Sequence, residues 1–332
     1  MPRWSWDFED EQKPPAGSPL PAASPPPDGG RPAGPARPPR GTEPRGPARR
    51  AALVRRRRAL AALGLLALLA IVVAAASAGS GHNATHPKPT KTVHAIRRAP
   101  TDPEQEEAAA VRSVLAYTPF VKEGSGTKKE IALTFDDGPG PFTPQVLSVL
   151  ERYHVPATFF VIGRMLRYFG ASTVREIEDG DVIGDHTENH PMLAHLSAHD
   201  QYEELFEQIA RVELLGGRRP ILFRPPYGSF DATTFRELKR LHLLMVLWSV
   251  DTDDYEQPGV QTIVGRALEG AQPGAIILLH DAGGQRQQTI EALPQIIKGF
   301  RDRGYALVTV PRLLADDPPP HGEPLPPNLS GD

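Results

Sequence analysis

From Lys128 to about residue 309 the chain alternates short apolar runs with one-sided amphipathic segments, and this alternation restricts its fold more than any other feature. The apolar runs, predicted as strands, are 131–135, 157–162, 181–185, 221–223, 243–250, 275–279 and 305–309. Between them lie helical patterns at about 144–153, 172–179, 198–215, 231–241, 259–270 and 288–303, several opened by Ser, Thr, Asp or Pro at capping positions. The longest carries Leu205, Ile209, Val212 and Leu215 on one side and Glu203, Glu204, Glu207 and Arg211 elsewhere, the pattern of a helix that covers a core. Strand and helix in repeated alternation call for parallel pairing through right-handed crossovers. The predicted fold class is α/β, a distorted or incomplete (β/α) barrel of about seven strands. An open doubly wound sheet is the alternative that periodicity leaves standing.

The rest of the chain has a different texture. Residues 1–54 are rich in Pro, Gly, Ala and Arg, lack apolar periodicity and read as a disordered tail. Arg55-Arg56-Arg57-Arg58 then precede an uncharged run from Ala59 to Ala78. As a helix, about twenty such residues span about 30 Å, the thickness of a bilayer core, so 55–78 is predicted as one transmembrane helix, a signal anchor. The basic block on its N-terminal side predicts a cytoplasmic tail and an extracellular remainder at the cell membrane. Ala76-Ser77-Ala78 also fits a signal-peptidase site, so secretion after cleavage near Ala78 is the alternative. Residues 79–127 read as an extracellular stalk with a short helix at about 104–115, 128–315 as the catalytic domain, and 316–332 as a disordered Pro-rich tail.

The net charge of −3 gives no reason to expect a nucleic-acid partner. There is no cysteine, so any metal must be held by His and carboxylates. The first barrel strand stops at Asp136-Asp137. Two like charges side by side after a buried strand need a partner cation, and neighbouring charges can drive two carboxylates into different roles, one a metal ligand and the other a base. Asp-Gly and Gly-Pro are also ordinary turn punctuation, so what stands at the other strand ends decides. After the third strand comes His186-Thr187-Glu188-Asn189-His190, whose imidazoles, four residues apart, point the same way if they lie on one turn of helix. With a carboxylate from another strand end they complete a His, His, Asp triad that keeps coordination positions open. The fourth strand is followed by Arg224-Pro225-Pro226-Tyr227-Gly228, the fifth by Asp251-Thr252-Asp253-Asp254-Tyr255, and the sixth by His280-Asp281. In a β/α barrel the chemistry sits at the C-terminal ends of the strands, and polar clusters at five of them exceed what turns require.

These motifs, in this order, resemble those of the polysaccharide deacetylases, the carbohydrate esterases of family 4, over about residues 128–315. The resemblance implies that Asp136 is the catalytic base and that Asp137, His186 and His190 bind a metal, usually zinc, with another divalent ion such as cobalt as the alternative. It implies that Arg224 pairs with the base, that the Tyr227 backbone N–H helps form an oxyanion hole, and that Asp254 orients His280, the catalytic histidine. Tyr255 stands where the family more often has tryptophan, which bears on the shape of the pocket wall. The implied activity is removal of N-acetyl groups from a polymer containing N-acetylglucosamine, with peptidoglycan expected because an anchor and stalk would place the enzyme there. An O-acetyl polysaccharide esterase would use the same groups, and a non-catalytic envelope protein that keeps the fold is the reading from another class. The remaining candidates, His154, His195, His199 and His242, lie in or beside helical segments and read as surface or packing residues, and Trp248, inside a strand, as core. The oligomeric state is left open.

Overall fold

The computed structural model describes residues 103–330. The predicted cytoplasmic tail, the anchor and the first part of the stalk lie outside them. Among the described residues no helix is long and apolar enough to cross a membrane. In chain order the elements are α1 (Pro103–Leu115), β1 (Phe120–Val121), β2 (Glu130–Asp136), α2 (Thr143–Tyr153), β3 (Thr158–Val161), α3 (Leu166–Asp179), β4 (Val182–Asp185), α4 (Ala198–Leu214), β5 (Leu222–Phe223), α5 (Ala232–Leu241), β6 (Leu244–Val246), β7 (Val250–Asp251), α6 (Val260–Glu269), β8 (Ile276–His280), α7 (Gln287–Asp302), β9 (Ala306–Val308) and α8 (Val310–Asp316).

The strands form one sheet in the order β1-β6-β5-β4-β3-β2-β8-β7, with β9 also paired to β2. All ladders are parallel. The path has two ends, β1 and β7, so the barrel is incomplete. The run predicted over 243–250 is two strands, not one. Trp248 therefore lies at the break between β6 and β7, half-buried, with its ring 5.7 Å from the Arg224 guanidinium.

Alternate residues explain how the sheet is covered. On β2, Ile131, Leu133 and Phe135 pack outward against Val146, Leu147 and Leu150 of α2 and Ile296, Ile297 and Phe300 of α7. Ala132 points the other way and joins Phe160, Leu222, Leu244, Val246 and Ile276 inside the barrel. Burial on both faces is why these strands read as unbroken apolar runs. At the N-terminal end of the strands the interior is closed by α1 and α8, which contribute Val111, Val114, Val310, Leu313 and Leu314.

Two predicted boundaries are corrected by this packing. From Pro103 onward the chain is not stalk, because α1 lines the barrel interior and β1 pairs with β6. Nor is 316–330 a free tail. Asp317 is buried and accepts hydrogen bonds from the Gly126 N–H (2.9 Å), the Thr127 N–H (3.1 Å) and the hydroxyls of Ser125 and Thr127. The Tyr117 hydroxyl donates to the Pro319 carbonyl (2.8 Å), and the Tyr117 ring stacks on His321 at 3.8 Å. Prolines read as disorder because they have no N–H for a helix or ladder. The same ring fixes φ and leaves the carbonyls for partners elsewhere in the fold.

Candidate active site

Because every strand runs the same way, all their C-terminal ends lie together. The inward-facing series on β2 is Ala132, Thr134, Asp136, on β8 Ile276, Leu278, His280, and on β5 Leu222 followed two residues later by Arg224. Each series is apolar at the bottom and ionisable at the top. The ladder between β2 and β8 sets Asp136 opposite His280.

Asp137, His186 and His190 converge on one point. Asp137 Oδ1 lies 3.1 Å from His190 Nε2 and 3.5 Å from His186 Nε2, and all three residues are buried. His186 Nδ1 is 2.7 Å from the Arg224 carbonyl, which only accepts, so Nδ1 carries the proton and Nε2 presents its lone pair. Asp137 Oδ1 is buried and has no hydrogen-bond partner. Three electron-pair donors turned on one another are unfavourable unless a cation stands between them, so this donor set fits a divalent metal.

Backbone strain creates this arrangement. Asp137 has φ of 73°, Thr187 67°, His190 62° and Tyr227 57°, a region that side-chain-bearing residues occupy only where the surroundings hold them. The left-handed Asp137 turns its carboxylate away from that of its neighbour, so two consecutive acids face different partners. His186 and His190 therefore do not lie on a helical turn, as their spacing predicts. They lie in a loop bent at Thr187 and His190, with ring centroids 4.9 Å apart. The Thr187 N–H donates to Asp185 Oδ1 (2.7 Å), and the His190 N–H to Thr187 Oγ1 (2.9 Å). The loop β8–α7 closes over the cluster at Gly283, where φ is 75° and a Cβ would collide with Asp137 Oδ2.

On one side of the cluster, Asp136 Oδ1 accepts from Arg224 Nη1 at 2.8 Å in full burial. Arg224 is held in turn by Thr134 Oγ1 (2.8 Å) and the carbonyls of Val246 (3.0 Å) and Leu247 (3.2 Å). On the other side, His280 Nδ1 is 2.7 Å from Asp254 Oδ1, and Asp254 Oδ2 accepts from the His280 N–H (2.9 Å) and the Thr289 hydroxyl (2.7 Å). Burial works against the imidazolium, yet Asp254 beside it raises the His280 pKa to about 9. Tyr255 meets the His280 ring edge-on at 5.3 Å, so the residue in the place of the expected tryptophan does line the site. The Tyr227 ring, 43% exposed, meets His190 edge-on at 4.5 Å.

All eight predicted site residues are thus brought to one end of the barrel. His154 and His242 instead end α2 and α5 in left-handed conformation, and His199 is exposed. Three supporting residues were missed. Thr134 sits two before Asp136 on the same face, and the period of two could have found it. Thr289 and Arg286 lie beyond the last motif. Arg286 is fully buried and donates to the carbonyls of Ala282 (2.6 Å), Gly283 (2.6 Å) and Gln285 (2.9 Å), tying the loop that carries Gly283. Nothing in the local sequence separates it from a surface arginine.

A family model described as polysaccharide deacetylase matches residues 123–246. The peptidoglycan-N-acetylglucosamine deacetylase of Bacillus cereus is 38% identical over 216 residues, which span 61% of this chain and 97% of that protein. The chain belongs to the polysaccharide deacetylase family. The peptidoglycan-N-acetylmuramic acid deacetylase PdaC of Bacillus subtilis is 37% identical over 187 residues, 56% of this chain but only 39% of that longer protein. Among solved structures, the Bc1960 peptidoglycan N-acetylglucosamine deacetylase aligns with a TM-score of 0.58 at 34% identity, covering 60% of this chain and 94% of that one. A CE4 family pseudoenzyme from Bacillus anthracis aligns with a TM-score of 0.56 at 27% identity, covering 59% and 69%. Membership of the deacetylase family thus includes a relative described as lacking the activity, and the side chains of each site have to be judged for themselves.

Proposed function

We propose that this chain is a metal-dependent hydrolase that removes N-acetyl groups from a glycan containing N-acetylglucosamine, with peptidoglycan as the substrate. The observation that carries the reading is the flanking of one Asp137, His186, His190 cluster by two separate carboxylate-anchored groups, Asp136 with Arg224 and His280 with Asp254. A purely structural barrel has no use for buried charge of both signs on both sides of a metal-ligand set.

A zinc or other divalent ion held by Asp137, His186 and His190 would polarise the acetyl carbonyl and bring a water's pKa toward neutrality. Asp136, oriented by Arg224, accepts the proton of the attacking water. The Tyr227 N–H donates to the oxyanion as it forms. His280, protonated and oriented by Asp254, gives its proton to the leaving nitrogen as the C–N bond breaks. Acetate and a free amine on the sugar are the products. The deacetylase names carried by relatives that cover most of their own length support the substrate class. The apolar run after Arg55–Arg58 supports an enzyme anchored in the membrane and facing the wall.

The test is acetate release from purified peptidoglycan and from N-acetylglucosamine oligomers by residues 100–332, metal-loaded and chelator-treated, beside Asp136→Asn and His280→Ala. Release that needs the metal and stops in both variants supports the reading. Bound metal without release from any acetylated glycan would place the chain beside the pseudoenzyme, as a glycan-binding protein of the envelope.

A further inference from the structure

The segment after α8 does not end where it begins. Asp317 is tied to residues 125–127, beside Gly124 and Gly274 at the N-terminal end of the strands. By Leu329 the chain has reached the opposite end, where the Leu329 N–H donates to the Gly228 carbonyl at 3.1 Å. Asn328 Oδ1 accepts from the Phe230 N–H (3.4 Å) and, on its other side, from the Ser330 hydroxyl (2.9 Å). Leu329 packs so closely on Gly228 that a Cβ there would stand 2.6 Å from its own. Gly228 follows Tyr227, whose ring touches the ligand His190. The tail therefore delivers a side chain to the mouth of the candidate site.

The surface it makes there is apolar. Leu329 is 45% exposed, Leu325 60% and Tyr227 43%. Beside them Leu325, Pro326 and Asn328 line a cavity of about 320 Å³ against Phe230 and Phe235. Exposed leucines on a segment stiffened by Pro318, Pro319, Pro320, Pro324, Pro326 and Pro327 lose little entropy on meeting a ligand. Pyranose rings present apolar C–H faces rimmed by hydroxyls, and exposed aromatic and aliphatic side chains beside a few polar groups suit such a ligand. Continuity with the site selects the occupant.

We propose that Leu329 and Tyr227 form the apolar wall of a groove that holds the sugar next to the one being deacetylated, so that the C-terminal segment makes the enzyme prefer polymer to short substrate. This rests on the deacetylase reading above. The full chain, Leu329→Asp and a chain ending at Asp317 are compared for acetate release from the dimer and the pentamer of N-acetylglucosamine, and for pentamer affinity by calorimetry. We expect the pentamer-to-dimer ratio of kcat/KM to fall about tenfold in both altered chains, the effect of losing one buried leucine contact, with Leu329→Ile keeping most of it. A general loss of folding lowers both substrates together, so the ratio is read in variants whose turnover of the dimer is intact, and an unchanged ratio in them overturns the proposal. If the unaltered chain releases no acetate at all, the deacetylase reading falls, and the groove is decided by affinity alone: pentamer binding weakened by Leu329→Asp sustains it, and equal binding overturns it.

Discussion

The two ends of the barrel are built from the same strands and solve opposite problems. At the N-terminal end, Ala132, Leu222 and Ile276 meet Val111, Val310 and Leu313 in a cluster of buried apolar side chains. At the other end, two to four residues further along the same inward faces, stand Asp136, Arg224 and His280. There the chain accepts left-handed backbone at Asp137, Thr187, His190 and Tyr227 and buries charged groups that each need a partner. The apolar end gains free energy from every contact, whereas the polar end holds groups whose desolvation is offset only by their mutual pairing. Stability and chemistry are thus separated along each strand by a few residues.

Substitutions at the two ends should therefore differ in kind. The largest effect is expected for Asp136→Asn, which keeps the shape and removes the base: kcat for acetate release falls by about 10³-fold, while metal content persists and the thermal midpoint drops because the buried Arg224 loses its counter-charge, so kcat is read well below that midpoint. A fall of less than tenfold would assign the chemistry elsewhere. At the opposite end Leu313→Ala opens a cavity between α1 and α8 and lowers unfolding free energy by about 3 kcal/mol, measured by denaturant titration, with kcat unchanged well below the midpoint. Loss of kcat at full folding would show that the two ends are coupled.

A pH profile sharpens the polar end. The His280 pKa stands raised from 6.5 to about 9, so the pair with Asp254 stabilises the fold fully below 6.5 and that contribution is lost as pH rises through about 9. Asp137 adds to the rise, and a cation bound to Asp137 offsets that addition. In the metal-free protein His280 should titrate near 9 by NMR, and metal loading should lower the value. The alkaline limb of kcat then follows the metal-loaded value, falling tenfold per pH unit above it. An imidazole that titrates near 6.5 in both forms would remove His280 as a proton donor at neutral pH. The smallest effect is expected for Thr289→Val, which deletes one hydrogen bond to Asp254 and costs about 1 kcal/mol, with kcat lowered severalfold at most.

The groups to which we assign the chemistry were legible because each stands at the end of an apolar run, and parallel strands gather such ends. Asp136-Asp137, His186, Arg224, Asp254 and His280 could be placed before any contact was known. Less legible was how the two histidines meet: their spacing of four suggests a helical turn, and the loop instead bends through two left-handed residues held by Asp185 and Thr187. Arg286 was invisible, because an arginine satisfied by three carbonyls of its own loop carries no pattern that a surface arginine lacks.

The amino-acid sequence by itself determined the alternation of strand and helix, the polar strand ends and the family. The period of two set which residues share a face, a local property of extended chain, whereas which face lies inside the barrel was decided by packing, because both are buried. Only the tertiary structure decided that 103–127 and 316–330 belong to the domain. Segments whose burial is against something distant in the chain, as Val114 is within the barrel or Asp317 is against residues 125–127, gain their free energy from a surface that exists only once the strands have come together.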